Sequence, residues 1–233
     1  MVLKITLKTN KSMKTKFYAS CMTLCMFFLS TNTISAQHEY VDLGLSVKWA
    51  TCNVGANVPE EFGKYFAWGE VLPKSNYHWD TYKYLQYGNQ YKNGWSALTK
   101  YCTNVESGYV DNKTTLETID DAATYNWGDS WRMPTIEEWK ELLEQCIVIW
   151  SPRNGVDGYE VKSKVNDNSI FLTYSRVRRA TSFGYAENGW YWSASLSDAN
   201  PDGAWCVRIG DINGVNYRID ARCFGLPVRP VYP

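Results

Sequence analysis

The sequence predicts an α+β fold, and three observations carry that expectation: one strongly capped helix, short alternating strands after it, and abundant connecting coil. The helix begins at Met133-Pro134-Thr135. Thr135 and Glu138 have the spacing of a capping box, in which a hydroxyl and a carboxylate each take a free amide of the first turn. Trp139, Leu142, Leu143 and Cys146 then fall at i, i+3, i+4 and i+7 as one apolar stripe, while Glu137, Lys140, Glu141 and Glu144 face water. A weaker helical pattern covers residues 115–125. Among the strands, Tyr159 to Lys162 and Ile170 to Thr173 flank Val165-Asn166-Asp167-Asn168 as a hairpin. Trp190-Tyr191-Trp192 follows Gly189, and Trp205 to Ile209 pairs with Val215 to Ile219 across Asn213-Gly214, a dipeptide suited to a tight turn with positive φ. Alternation puts Trp205, Val207, Ile209, Val215, Tyr217 and Ile219 on one face and Arg208, Asn216, Arg218 and Asp220 on the other. Leu226 to Val231 can form only an edge or terminal strand, because Pro227 and Pro230 have no N–H to donate.

The 233 residues are 45% hydrophobic and 21% charged, an ordinary globular balance that excludes a disordered tail. Five of the 24 basic residues and none of the 24 acidic ones lie in residues 1–36. From Met13 the chain runs through lysines and an apolar stretch to small polar residues ending at Ala36, the tripartite secretory pattern. The expectation is a signal peptide over 1–36, with an alternative start at Met13, cleavage near Ala36, and a single secreted domain over 37–233 in the periplasm or at the cell surface. The apolar stretch falls short of the roughly 20 residues of a membrane anchor, so no transmembrane anchor is expected. Cys21 and Cys25 invite a lipoprotein reading, but cleavage there would leave Met26 to Leu29 in the mature tail and put Tyr18 or Met22 where a small aliphatic residue belongs.

Beyond residue 36, acidic residues outnumber basic ones, so no nucleic acid is expected as a partner, since that affinity comes largely from Lys and Arg on phosphates. Two histidines, His38 and His78, are too few for a three-imidazole metal site and leave little material for a Ser-His-Asp triad. The cysteines of the body are Cys52, Cys102, Cys146, Cys206 and Cys223. Their number is odd, no C-x-x-C spacing occurs, and both one or two bridges and buried apolar thiols fit.

Tyr40 to Ala50, Cys52-Asn53-Val54-Gly55-Ala56 and Tyr65-Phe66-Ala67-Trp68-Gly69-Glu70 resemble the opening of the Fibrobacter succinogenes major paralogous domain. Asp120-Asp121-Ala122-Ala123, Trp131 to Thr135 with Glu138, Tyr191-Trp192-Ser193 and the stretch from Gly225 to Val231 keep that family's order over nearly all of residues 37–233. The resemblance implies a C-type-lectin-like fold related to the formylglycine-generating enzymes, whose R-L-P-T-x-x-E-W helix start is similar to Arg132 to Trp139. It also implies an exported bacterial protein. The region from Gly189 onward looks like the variable segments that end lectin-like domains of proteins diversified by retroelements.

The related oxidases use two closely spaced cysteines near the C-terminus. Here Cys206 and Cys223 are far apart in sequence, so the enzyme activity is not carried over, and a structural bridge or two buried thiols is the favoured reading. Asp198, Asn200, Asp202 and Gly203 resemble half of a calcium loop, but Ile209 stands where the bidentate acid belongs, which favours a plain Asx turn. Asp120-Asp121 and Glu137-Glu138 read as cap and surface charge rather than a glycosidase couple. Of the 11 Trp and 17 Tyr most fill the core, with Trp205 pointing inward, while Trp190 to Trp192, Trp205 and the Tyr-rich loop from Tyr77 to Tyr91 are candidates for stacking on sugars. The expected function is a non-catalytic module binding a glycan or a surface protein, with no cofactor, metal or catalytic residue. Trp190, Trp192, Arg208, Asn216, Arg218, Asp220 and Arg222 are the expected ligand-binding residues. The alternatives are a cysteine-dependent oxidase and a structural component of a surface assembly.

Overall fold

Thr135 sets the start of the longest helix through the reciprocal bonds its sequence predicts. Its hydroxyl accepts from the Glu138 amide at 3.2 Å, and Glu138 Oε2 accepts from the Thr135 amide at 2.8 Å. The same carboxylate takes both terminal nitrogens of Arg132, at 2.5 and 2.7 Å, so cap and ion pair fix one another. These contacts belong to a computed structural model that describes residues 38–86, 97–184, 188–210 and 214–233. The described residues lie in one unit of the chain, Gln37–Pro233. The signal peptide expected over 1–36, Asn213 of the expected turn, and residues 87–91 of the Tyr-rich loop lie outside them.

Among the described residues two α-helices, α1 (Ala122–Trp127) and α2 (Ile136–Gln145), stand among short antiparallel strands and much coil, an α+β arrangement. The weak helical pattern at 115–125 resolves into a 3-10 turn, Thr118–Asp120, followed by α1. The second half of the chain supplies every strand of five residues or more among the described residues: its strands up to Ala221 are β1 (Cys146–Trp150), β2 (Gly158–Ser163), β3 (Ser169–Thr173), β4 (Val177–Arg179), β5 (Ser182–Gly184), β6 (Gly189–Leu196), β7 (Gly203–Ile209) and β8 (Val215–Ala221). β1, β2 and β3 form one antiparallel sheet, with Tyr159 opposite Leu172 and Val161 opposite Ile170, the pairing expected of the hairpin. β6, β7 and β8 form another in that order. The proline-flanked C-terminal strands are short: Leu226–Pro227 pairs with Tyr65–Phe66, and Val231–Tyr232 forms the edge of a sheet beside Lys48–Ala50.

The sheet of β6 to β8 sits between two apolar clusters, and the period-two geometry of a strand decides which residue enters which. Tyr191, Val207 and Ile209 point to the cluster built on α2, where Trp139, Leu142 and Leu143 meet Trp49, Val161 and Leu172. Trp190, Trp192, Ala194, Ala204 and Cys206 point the other way, to Phe66, Trp68, Tyr82 and Tyr101. Three of the indole N–H groups that this buries find backbone acceptors: Trp139 Nε1 donates to the Trp192 carbonyl at 3.2 Å, Trp192 Nε1 to Phe66 at 2.8 Å and Trp68 Nε1 to Ser193 at 2.9 Å. Each such ring removes roughly 150–250 Å² from water, which is how a helix-poor chain fills its interior.

Two cations are buried with these aromatics. Arg229 is fully enclosed and donates to Asn53 Oδ1 at 2.8 Å and to the carbonyls of Ala50, Thr51 and Phe171 at 2.9, 2.7 and 2.9 Å. Arg222 performs the same task for the other cluster. Its Nε donates to Tyr82 Oη at 2.9 Å, and its terminal nitrogens to the carbonyls of Tyr101, Pro201 and Lys100, each at 3.0 Å. Coil whose carbonyls would otherwise be buried without donors is thereby tied to the chain's last segment.

The acidic pairs supply caps and surface charge as expected, except at Asp120. Asp121 caps α1, accepting from Ala123 and Thr124 at 2.8 and 3.0 Å and from Met133 at 2.8 Å. Asp120, expected at the surface, is 2% exposed beneath Lys83, Lys100 and Tyr101. Thr135→Ala removes one side of the cap on α2, and a loss of about 1 kcal/mol in a urea titration is the expected result.

Candidate functional site

Three aligned residues on adjacent strands define the site: Trp190 on β6 stands opposite Arg208 on β7, which stands opposite Asn216 on β8. One step further along, Trp192, Cys206 and Arg218 form the next row, and Ala204 faces Asp220 beyond it. At the β6 and β7 positions of the latter rows, Trp192, Cys206 and Ala204, the face is closed by core. The end carrying Trp190 and Arg208 is open. There Trp190, Arg208, Arg218 and Asp220 line a cavity of about 290 Å³ together with Arg179 from β4 and Asn188 before β6.

Local sequence explains the opening. Gly210 follows β7 without a side chain, and a Cβ there would collide with Asn188 Oδ1, so the glycine lets the buried Asn188 amide reach the cavity wall. The Gly210 amide donates to the Gly214 carbonyl at 3.0 Å, and Gly214, just before β8, has φ of 60°, a conformation that glycine adopts without strain. Trp190 is pinned through its backbone, its N–H donating to Ser175 Oγ at 2.9 Å and its carbonyl accepting from the same hydroxyl at 2.8 Å.

Among the described residues the lining of the cavity is cationic. Arg179, Arg208 and Arg218 face it against a single described carboxylate, Asp220, whose Oδ1 lies 3.7 Å from Arg179 Nη2. Burial pushes the Asp220 carboxyl above the usual carboxylate range, and the charges of Arg179 and Arg218 only partly offset it. The Arg208 guanidinium lies 5.8 Å from the Trp190 ring centroid. Among the described residues, Trp190 Nε1 and Arg208 Nε are buried without a hydrogen-bond partner.

Of the expected ligand-binding residues, four line this cavity: Trp190, Arg208, Arg218 and Asp220. Asn216 adjoins it through its pairing with Arg208. Two are corrected. Trp192 is fully buried, its ring in the core and its N–H spent on Phe66, so it has no surface to offer. Arg222 is fully buried as well, because β8 ends at Ala221 and the alternation that placed Arg222 in the polar row stops there. Trp190 is itself 4% exposed, which leaves its ring closed to sugar stacking, and Trp205 is half-buried beside a separate groove with Thr115, Glu137, Ser195 and Asp198.

Sequence reasoning missed Arg179 and Asn188. The signal for the first was present in Arg176-Val177-Arg178-Arg179, a basic run in an otherwise acidic body. A second cavity of about 290 Å³ is lined by Arg176 of that run together with Phe62, Gly63, Tyr65 and Phe183. Phe62 and Phe183 are exposed there.

The cysteines do not bridge: Cys52, Cys102, Cys146, Cys206 and Cys223 are all free. Burial pushes the Cys206 thiol far up and the Cys223 thiol to about 12, the reverse of what a nucleophile or metal ligand needs. Native alkylation with mass mapping is therefore expected to mark the half-buried Cys52 first and to leave Cys206 and Cys223 protected until the chain unfolds. Asp198 to Gly203 forms the plain turn, with Asn200 Oδ1 accepting from the Asp202 amide at 3.1 Å. Among the described residues, no helix is long and apolar enough to cross a membrane. Compared with known proteins, the chain matches no family model, no curated protein and no solved structure.

Proposed function

We propose that this chain is a secreted, non-catalytic binding module with a C-type-lectin-like fold, a member of the Fibrobacter succinogenes major paralogous domain, whose C-terminal sheet binds a glycan or a surface protein. The observation that carries this reading is the cavity itself. Side chains from β4, β6, β7 and β8 converge on one small concave site, held by regular strands over a rigid aromatic core. Rigid strands hold recognition groups at low entropic cost, which is what a binding surface requires. The secretory pattern of residues 1–36 supports export, and the order of the motifs from Tyr40 to Val231 supports the family. The oxidase reading draws no support from thiols that burial keeps protonated.

The test is an array of glycans and bacterial surface proteins probed with the wild-type chain and with the triple variant R208A/N216A/R218A. The wild type should retain at least one ligand that the variant loses by tenfold or more, while the melting temperature stays within a few degrees. Undiminished binding by the variant would move the site elsewhere, with the Phe62, Tyr65 and Phe183 cavity next in line. Absence of any ligand on the array would remove the binding-module reading.

A further inference from the structure

Resting on the reading of this chain as a binding module, the chemistry of the cavity narrows its ligand. Three guanidinium groups, Arg179, Arg208 and Arg218, face a space of about 290 Å³ with one carboxylate among the described lining residues. Beyond residue 36 acidic residues outnumber basic ones, so this gathering of like charge runs against the net charge of that part of the chain. Among the described residues Asp220 meets Arg179 alone at ion-pair distance, 3.7 Å, and Arg218 is exposed on the outermost strand of its sheet. Guanidinium forks fit the paired oxygens of a carboxylate or sulfate, and a negative group seated among them relieves the mutual repulsion of the three. Two buried donors of residues in the cavity wall, Trp190 Nε1 and Arg208 Nε, lack hydrogen-bond partners among the described residues, and an oxyanion brings acceptors to that wall.

The remaining lining selects what carries the acid group. Asn188 offers both donor and acceptor, and Asp220 offers acceptor oxygens, a mixture suited to hydroxyl groups around a ring. An aspartate or glutamate side chain is far smaller than the cavity, whereas one pyranose ring with its acid group is of its size. With the Trp190 ring 4% exposed and Arg208 beside it, stacking on an aromatic face is not available as the main attraction.

We propose that this pocket receives an anionic sugar unit of the glycan ligand, a uronate carboxylate or a sulfate ester held by Arg208, Arg218 and Arg179, with Asn188 and Asp220 meeting the ring hydroxyls.

Calorimetric titration of the full chain with four saccharides and one peptide tests it: an oligogalacturonate, its methyl ester, a sulfated galactan oligomer, its desulfated form, and polyglutamate. The expected result is binding of at least one acidic saccharide, at least tenfold weaker binding of its neutral counterpart, and an affinity that falls steeply with salt. Which acidic arm binds separates carboxylate from sulfate. Arg218→Gln, at an exposed position where folding is not at stake, should weaken that arm tenfold, and Arg208→Gln should do the same with its melting temperature as the control. Equal affinity for acidic and neutral forms overturns the proposal, as does silence of both acidic arms, or polyglutamate binding as tightly as the saccharides. In each of those cases a ligand from the array that still depends on Arg208, Asn216 and Arg218 leaves the binding-module reading standing while the anionic-sugar assignment falls.

Discussion

Arg222→Met is expected to destabilise the protein by at least about 4 kcal/mol, enough to leave many domains of this size largely unfolded. The guanidinium is fully buried and makes four hydrogen bonds, to Tyr82 Oη and to the carbonyls of Tyr101, Pro201 and Lys100. Methionine restores most of the volume but none of the donors. Three buried acceptors and one half-buried one lose their partner at once, each buried one at a cost of about 1–3 kcal/mol before relaxation. The cation also lies 4.9 Å from the Trp68 ring centroid, 5.3 Å from that of Tyr82 and 5.9 Å from that of Tyr101, contacts that soften the cost of burying a charge with no carboxylate in hydrogen-bond contact among the described residues. Arg222→Lys should fail almost as badly, because one ammonium cannot span acceptors that the planar fork reaches on different segments. Urea denaturation followed by tryptophan fluorescence measures both. A midpoint for either variant within experimental scatter of wild type would show that the four bonds contribute nothing net. This outcome also separates the two roles considered for Arg222: a ligand-binding residue would lose affinity and keep its fold, and the reverse is expected here.

The features legible in the sequence are those whose cause is local. The capping box at Thr135 and Glu138 and the stripe on α2 are fixed within a few residues, and they stand as expected. Alternation in the sequence marked β2, β3, β7 and β8, although burial follows a period of two clearly only in β2. β1 was hidden because Cys146 falls at i+7 of the helical stripe, so the pattern absorbs it, while the chain changes from helix to strand at that residue. The β4–β5 hairpin, with Arg178 and Arg179 in its first strand, has no apolar alternation to display. The polar row was visible as far as Asp220, but its partition was not. Whether Arg218 meets solvent or Arg222 meets a cage of carbonyls depends on chain segments more than a hundred residues away, at Tyr82 and Tyr101. Arg179 and Asn188 join the cavity through tertiary packing, which no spacing rule encodes.

The same limit applies to Asp120, and its burial predicts a distinct acid sensitivity. The carboxylate accepts from Lys83 Nζ at 3.0 Å, Lys100 Nζ at 2.5 Å and Tyr101 Oη at 2.8 Å. Burial by itself pushes this carboxyl up, but hydrogen bonds from Lys100, Tyr84, Tyr101 and Lys83 outweigh it and hold the group at about 2, below its ordinary 3.8. A carboxyl depressed by folding contributes stability that is complete above the unfolded value and is lost as pH falls through the folded one. For this shift the contribution is about 2 kcal/mol, lost between roughly pH 4 and pH 2. Asp120→Asn is expected to cost about 3 kcal/mol at pH 7, because the amide leaves two lysines facing a neutral group and presents its own N–H₂ to one of the donors. It should also remove this residue's share of the acid limb, so that the gap between wild type and variant narrows as pH is lowered from 4 toward 2. Urea midpoints at pH 7, 4 and 2.5 decide the matter. A gap that stays constant across those pH values would mean that the lysines and tyrosines around Asp120 stabilise its charged form no better in the folded chain than water does in the unfolded one.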